Sequence, residues 1–289
     1  MFLVPTVIRI LLPVALLLPI AAFGQESTRA ESEEALPSYL RDRGAGVRTS
    51  IFGTYVRAGE FVVYPFFEYY RDRDAEYSPS DFGYALDQDF RADFEASEYL
   101  VFLSYGLSKN VSLELEAAGI TAELEKALDD PTPRPDEVTE SGLGDVQTQL
   151  NWVWQHETSR RPEFFSYAEV VFPFQRNKAI IGTPDWEFKV GTGVTRGFSI
   201  GTVTLRAAAE YAREEGKVGM GEVAVEYLRR LSPTWSVFGA VEGSEDEWEL
   251  ITEAQVRVTN RVTLKLNSGF GLTSKATGWA PETGVLFRF

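Results

Sequence analysis

From Gly59 onward the apolar side chains recur with a period of two rather than 3.6, the pattern of strands that turn one face to apolar surroundings and the other to polar ones. Val223, Val225 and Tyr227 point one way; Glu222, Ala224 and Glu226 point the other. Val203, Leu205, Ala207, Ala209 and Tyr211 oppose Thr204, Arg206, Ala208 and Glu210, while Val146, Thr148, Leu150, Trp152 and Trp154 oppose Gln147, Gln149 and Asn151. Strands fit near residues 59–70, 93–105, 111–122, 142–155, 163–174, 186–197, 201–212, 219–230, 234–243, 249–258, 262–271 and 280–289. A soluble sandwich alternates as well, so the segments between strands decide. Short turns alternate with longer polar loops, as when one rim of a barrel carries tight periplasmic turns and the other extracellular loops. The expected fold is all-β: a transmembrane antiparallel β-barrel of about 12 strands over residues 59–289, both ends in the periplasm.

One turn recurs with Ser or Thr at fixed places: Leu107-Ser108-Lys109-Asn110-Val111-Ser112-Leu113, Leu231-Ser232-Pro233-Thr234-Trp235-Ser236-Val237 and Val258-Thr259-Asn260-Arg261-Val262-Thr263-Leu264. All three fall on the rim that even strand parity assigns to the periplasm. Trp152, Trp154 and Trp235 lie beside that rim and Trp186, Trp248 and Trp279 beside the other, the two levels where a half-wet aromatic is favoured. At the C-terminus Thr283, Val285, Phe287 and Phe289 alternate with Gly284, Leu286 and Arg288. This resembles the closing strand of outer-membrane proteins, whose terminal aromatic is part of the signal read by the barrel-assembly machinery.

Arg9 is the lone charge in residues 1–24; the apolar run Ile10 to Ala22 follows, then Phe23-Gly24 before the polar Gln25. That is a secretory signal peptide, with the mature chain expected to start at Gln25 and travel to the outer membrane. Pro5, Pro13 and Pro19 argue against an anchor helix. Residues 25–58 are polar and mixed and read as a periplasmic N-terminal segment, unstructured over Ser27 to Glu34. Beyond residue 24 no stretch reaches the roughly 18 to 20 apolar residues of a spanning helix, which leaves a closed barrel as the way to cross a membrane. Ile120 to Asp129 reads as helix as well as strand, because Ala, Leu, Glu and Lys dominate it. Pro131, Pro133 and Pro135 then end it in a large extracellular loop.

Charge narrows the partners. The chain carries 28 Lys and Arg against 43 Asp and Glu, a net charge of −15, which repels nucleic acid. The expected partners are outer-membrane lipids and lipopolysaccharide, the assembly machinery and a small solute. With no cysteine there is no disulfide scaffold, thiolate metal site or cysteine nucleophile, and no cofactor is expected.

In a barrel the inward face decides function, and the register puts Glu68, Glu114, Glu116, Gln147, Gln149, Asn151, Glu169, Lys189, Arg206, Glu210, Glu222, Glu226, Glu253, Gln255, Arg257, Lys265, Asn267 and Arg288 inside. Two readings stand side by side: a hydrated pore whose acidic excess favours cations, or a narrow lumen plugged by salt bridges. A lipid-acting enzyme is the third class. Acyl hydrolysis usually needs a Ser with a His base near the outer leaflet, and the single histidine, His156, falls in a periplasmic turn beside Glu157; no catalytic residue is assigned. The acidic stretch Glu242-Gly243-Ser244-Glu245-Asp246-Glu247 with Glu249 matches no calcium-loop spacing and reads as a solvated loop.

Gly142-Leu143-Gly144-Asp145 suggests a bend or bulge where a loop re-enters the sheet, and it lacks the spacing of a phosphate loop. Ser141-Gly142-Leu143-Gly144-Asp145-Val146, the stretch from Pro173 to Gly182-Thr183, and Gly191-Thr192-Gly193-Val194 resemble the family of outer-membrane barrels linked to phenol meta-pathway degradation and often called transporters. The resemblance covers residues 95–289 and implies an outer-membrane barrel with an uptake role for small, hydrophobic or aromatic compounds; the family motif names no catalytic residue. The long polar N-terminal segment and the acidic inward face depart from it. The sequence thus points to a passive channel or transporter for small solutes, cation-preferring, with a plugged structural or partner-binding barrel as the alternative.

Overall fold

A computed structural model describes residues 36–183, 185–212 and 216–289. The expected signal peptide and the stretch Ser27 to Glu34 lie outside these residues. The strands are β1 (Val47–Arg48), β2 (Tyr55–Val56), β3 (Phe61–Tyr77), β4 (Phe90–Gly106), β5 (Val111–Glu125), β6 (Glu137–Gln155), β7 (Glu163–Phe172), β8 (Glu187–Phe198), β9 (Gly201–Ala212), β10 (Lys217–Arg230), β11 (Trp235–Ser244), β12 (Glu247–Arg257), β13 (Val262–Gly271) and β14 (Trp279–Arg288). β3 to β14 form one closed, twelve-stranded antiparallel barrel in which each strand pairs with its sequence neighbour and β14 returns to β3. No helix among the described residues is long and apolar enough to cross a membrane.

The alternation translates directly into faces. Leu113, Leu115, Leu150, Trp152, Leu205, Val225 and Leu266 are exposed on the outside, while Glu114, Gln149, Asn151, Glu226, Glu253 and Lys265 are buried inside. The three Ser/Thr turns are built alike. Ser108, Ser232 and Thr259 each donate a backbone N–H to the carbonyl of Val111, Trp235 and Val262 at 3.1 to 3.2 Å. Their hydroxyls accept from Asn110, Trp235 and Val262 at 3.0 to 3.1 Å, which is why those residue types recur.

The seam is the least regular ladder. β14 and β3 pair at Trp279↔Arg71, then from Glu282↔Glu68 to Gly284↔Phe66, then at Phe287↔Val63 and Arg288↔Val62. Pro281 falls in the first gap and Pro65 in the second, where a residue without an N–H costs no ladder bond. The glycine-rich stretch Gly142 to Gly144 lies inside β6, which begins at Glu137, and is also irregular: β5 and β6 shift register between Ala117↔Val146 and Gly119↔Leu143.

Two expectations change. Ile120 to Asp129 is strand as far as Glu125, because Ala122 and Leu124, 1% and 3% exposed, pack inside with Ala96, Phe90 and Ala92 and that packing overrides helix propensity. The larger change concerns residues 25–58. From Asp42 onward this segment lies inside the barrel instead of hanging in the periplasm. β1 and β2 form a small hairpin whose Val47 and Val56 share one buried cluster with Val62, Tyr64, Phe102, Val153, Phe165 and Leu286. On the side of β3, β4, β7 and β14 the barrel's inward positions at this level are apolar, and burying them against the hairpin removes that surface from water.

Candidate functional site

The hairpin divides the lumen. Its tip, Thr49 to Thr54, is closed by Thr49 donating to the Thr54 carbonyl at 3.0 Å and Thr54 to that of Ile51 at 3.1 Å. Gly53 takes φ +59° there, a left-handed conformation that calls for glycine. The wall holds the tip from several strands. Lys265 Nζ donates to the Phe52 carbonyl at 2.7 Å and to Thr54 Oγ1 at 3.3 Å, Gln255 Nε2 donates to the same carbonyl at 3.3 Å, and the Ser50 amide and hydroxyl donate to Glu114 Oε2 at 3.0 and 2.7 Å. The Phe52 ring stacks on Phe238 with centroids 5.2 Å apart.

Charged anchors join the rest of the hairpin to the wall. Arg48 pairs with Glu226, which also accepts from Arg206 Nε at 2.7 Å; Arg206 in turn meets Glu222 and, at 2.6 Å, Glu242. Arg43 bridges Glu157 at 3.2 Å and Glu163 at 3.0 Å and lies 5.0 Å from the Tyr55 ring. Burial alone would lower the Arg43 pKa, but Tyr55, Glu163 and Glu157 outweigh it and raise it; burial also pushes the Tyr55 hydroxyl up. His156 lies at the rim with Nδ1 3.9 Å from Glu163.

Above the tip, toward the long loops, is a cavity of 630 Å³ whose lining includes Glu68, Glu98, Glu116, Asp145, Glu169, Glu187, Glu210, Glu222, Glu249 and Glu282, with Lys189 as the cation among them. Ser50, Ile51 and Phe52 are its floor. Of the side chains assigned inward from sequence, Glu68, Glu116, Gln147, Glu169, Lys189, Glu210, Glu222 and Asn267 line this cavity. Glu114, Gln149, Asn151, Arg206, Glu226, Glu253, Gln255 and Lys265 lie at the level of the hairpin or in its anchoring network. Arg257 and Arg288 line a smaller chamber below it. Glu98, Glu187 and Glu282 were not singled out, although each occupies an inward position of the same alternation, and Glu249, read as part of a solvated loop, is an inward residue of β12 in this lining. Arg43, Arg48 and Ser50 had no signal in a segment read as a lead-in.

The long-loop rim is folded too. The loop from Lys126 to Asp136 is tied by Asp130, which accepts from Tyr77 at 2.9 Å and from the Thr132 amide and hydroxyl at 2.8 and 2.7 Å. Arg134 stacks between Tyr77 and Phe82 at 4.4 and 4.6 Å. The loop after β7 is tied by Asp145, which accepts from Phe174 and Thr183 at 3.0 and 2.5 Å, and by Glu140, which accepts from Ala179 and Ile180. In the acidic stretch, Glu242 pairs inward with Arg206, and Asp246 meets Lys275 at 3.0 Å. Among the described residues no group of His, Asp or Glu is placed to hold a metal ion.

No protein-family model matches the chain, and no curated protein is similar to it. Among solved structures, the COG4313 outer membrane channel from Pseudomonas putida F1 superposes with a TM-score of 0.58 at 13% identity, over 84% of this chain and all of that one. That likeness is one of fold. The Ralstonia pickettii toluene transporter TbuX (TM-score 0.41, 9% identity, 89% of this chain and 98% of that one) and the translocator domain of the autotransporter NalP from Neisseria meningitidis (TM-score 0.41, 11% identity, 80% and 89%) are more distant.

Proposed function

We propose that this chain is an outer-membrane barrel, exported by its signal peptide, that passes small solutes through a lumen whose outer chamber attracts positively charged groups. The short turns face the periplasm, the long loops face the exterior, and Val285, Phe287 and Phe289 form the strand signal for the assembly machinery. The observation that carries the reading is the cavity wall, where among the described residues ten carboxylates face a single lysine. Confined between low-dielectric walls, an excess of one charge sign raises the local concentration of the opposite sign. The fold match to a protein described as an outer membrane channel is consistent with transport. The hydrophobic or aromatic solutes implied by the phenol-degradation resemblance fit this wall poorly.

The alternative, a plugged barrel with a structural role, draws on the hairpin: its tip is bonded to β5, β12 and β13 at once. Planar-bilayer recording on the folded chain from Gln25 separates the two. A channel gives stable steps, whose current should fall when Glu68, Glu116 and Glu282 are changed together to Gln. Absence of steps from protein shown to be folded by its heat-modifiable gel mobility would remove the channel reading and leave the plugged one.

A further inference from the structure

We infer that the solutes this lumen is built for are small zwitterions, molecules carrying both an ammonium and a carboxylate or sulfonate group, rather than simple cations or anions. The inference rests on the channel reading and names its solute class. Its basis is a reversal of charge along the axis. Below the hairpin tip lies a second chamber of 80 Å³, lined among the described residues by Arg43, Arg57, Arg230, Arg257, Lys265 and Arg288 against one carboxylate, Asp42. These cations have partners: Arg43 has Glu157 and Glu163, Lys265 has Glu253, Arg288 has Glu60, and Arg57, Arg230 and Arg257 are engaged as well. Yet Glu157, Glu163, Glu253 and Glu60 are not part of the lining, so the groups nearest a solute are predominantly donors. One donor is unsatisfied: Nε of Arg43, a residue only 7% exposed, has no hydrogen-bond partner.

One turn of chain separates the two chambers. Ser50, Ile51 and Phe52 border the acidic one, and Gly53, Thr54 and Tyr55 border the basic one. A simple cation is drawn into the first and repelled by the second; a simple anion meets the reverse order. A molecule with both charges finds a complementary wall on each side. At 80 Å³ the inner chamber takes the oxyanion end of a solute or a few waters at a time. Ile51, Phe52 and Ile251 give the outer chamber apolar surface for a short carbon chain between the charges.

The test is tracer uptake into proteoliposomes clamped at zero potential, using glycine betaine, choline and propane-1-sulfonate, three solutes of similar size that do not cross lipid. Glycine betaine should enter roughly tenfold faster than either singly charged solute, the lower end of what a complementary field contributes. Changing Arg230 and Arg257 together to Glu should shift the preference toward choline. Choline uptake in the unaltered protein equal to or faster than that of glycine betaine overturns the zwitterion assignment while leaving a channel in place. Failure of all three to enter through protein shown to be folded overturns the channel reading, and this inference with it.

Discussion

Replacing Lys265 by Met tests how the hairpin tip is held. Lys265 is 1% exposed, its Nζ lies 3.2 Å from Glu253, and it holds the Phe52 carbonyl at 2.7 Å. Met fills nearly the same volume, so little cavity term arises. What is lost is the charge partner of Glu253, itself 3% exposed, and breaking such a pair from one side costs about 3–5 kcal/mol. Gln255 still donates to Phe52 and to Glu253 Oε1, at 3.3 and 2.6 Å, so the carbonyl is not orphaned. In Lys265→Met with Glu253→Gln the stranded charge is gone, and the cost should fall to about 1–3 kcal/mol, that of the lost bonds to the tip. The double variant is therefore expected to be more stable than the single one by about 2 kcal/mol. Equilibrium unfolding in lipid vesicles, followed by tryptophan fluorescence, gives the comparison. In both variants a cysteine at position 50, the only thiol in the chain, should react faster than in the parent background. Equal destabilisation of the two variants would show that the Glu253 charge is not dependent on Lys265, and an unchanged labelling rate would show that Lys265 does not hold the tip.

Two further outcomes follow from other contacts. A Cβ on Gly106 would lie 1.9 Å from the Arg57 carbonyl oxygen, so Gly106→Ala must displace the chain that leads from the hairpin to β3, weakening Gly59 N–H to Gly106 and Gly106 N–H to Glu60 at a cost of about 1–3 kcal/mol; Gly219→Ala, with nothing within 4 Å, is the control, and a similar loss of unfolding free energy in both would refute the assignment. Burial works to raise the Asp130 pKa, but the hydrogen bonds from Thr132 and Tyr77 and the Lys126 charge outweigh it and hold it below the ordinary carboxylate value; its stabilisation of the 126–136 loop is therefore present above pH about 4 and lost as pH falls through the lowered value. Hydrogen exchange in that loop, corrected for intrinsic pH dependence, should rise only below pH about 4, and Asp130→Asn should abolish the step; a rise already at pH about 6 would point to a different group.

The barrel was legible because a strand facing lipid on one side and polar groups on the other writes its register into a period of two. Where both faces are buried the signal changes, and that change was present but unread. Phe61 to Phe67 reads Phe-Val-Val-Tyr-Pro-Phe-Phe and Leu100 to Leu103 reads Leu-Val-Phe-Leu, runs without alternation that mark strands covered on both sides. Their inward members Val62, Tyr64, Phe66, Leu100 and Phe102 are the wall of the cluster that receives Val47 and Val56. The hairpin left no comparable mark on its own segment. β1 and β2 are two residues each, too short for any periodicity, and the pairing of Arg48 with Glu226 or Arg43 with Glu163 joins residues more than a hundred positions apart. The inward carboxylates could be read one by one; their division into acidic and basic chambers could not, because it depends on where the hairpin crosses the lumen.

The proline gaps at the seam bear on the order of events during assembly. Only residues 57–60 separate β2 from β3, so the hairpin is tethered beside the first strand from the moment that strand docks. The closing contact between β3 and β14 is poor in ladder bonds, yet the hairpin reaches both sides of it: Arg288 Nη1 donates to the Tyr55 carbonyl at 2.8 Å and to Glu60 at 3.3 Å, and Val56, Val62 and Leu286 share one cluster. The segment is therefore placed like a mandrel, an inner form that the closed sheet surrounds and to which its last strand is fastened. Its sequence has to satisfy the closing of the barrel as well as the wall it packs against.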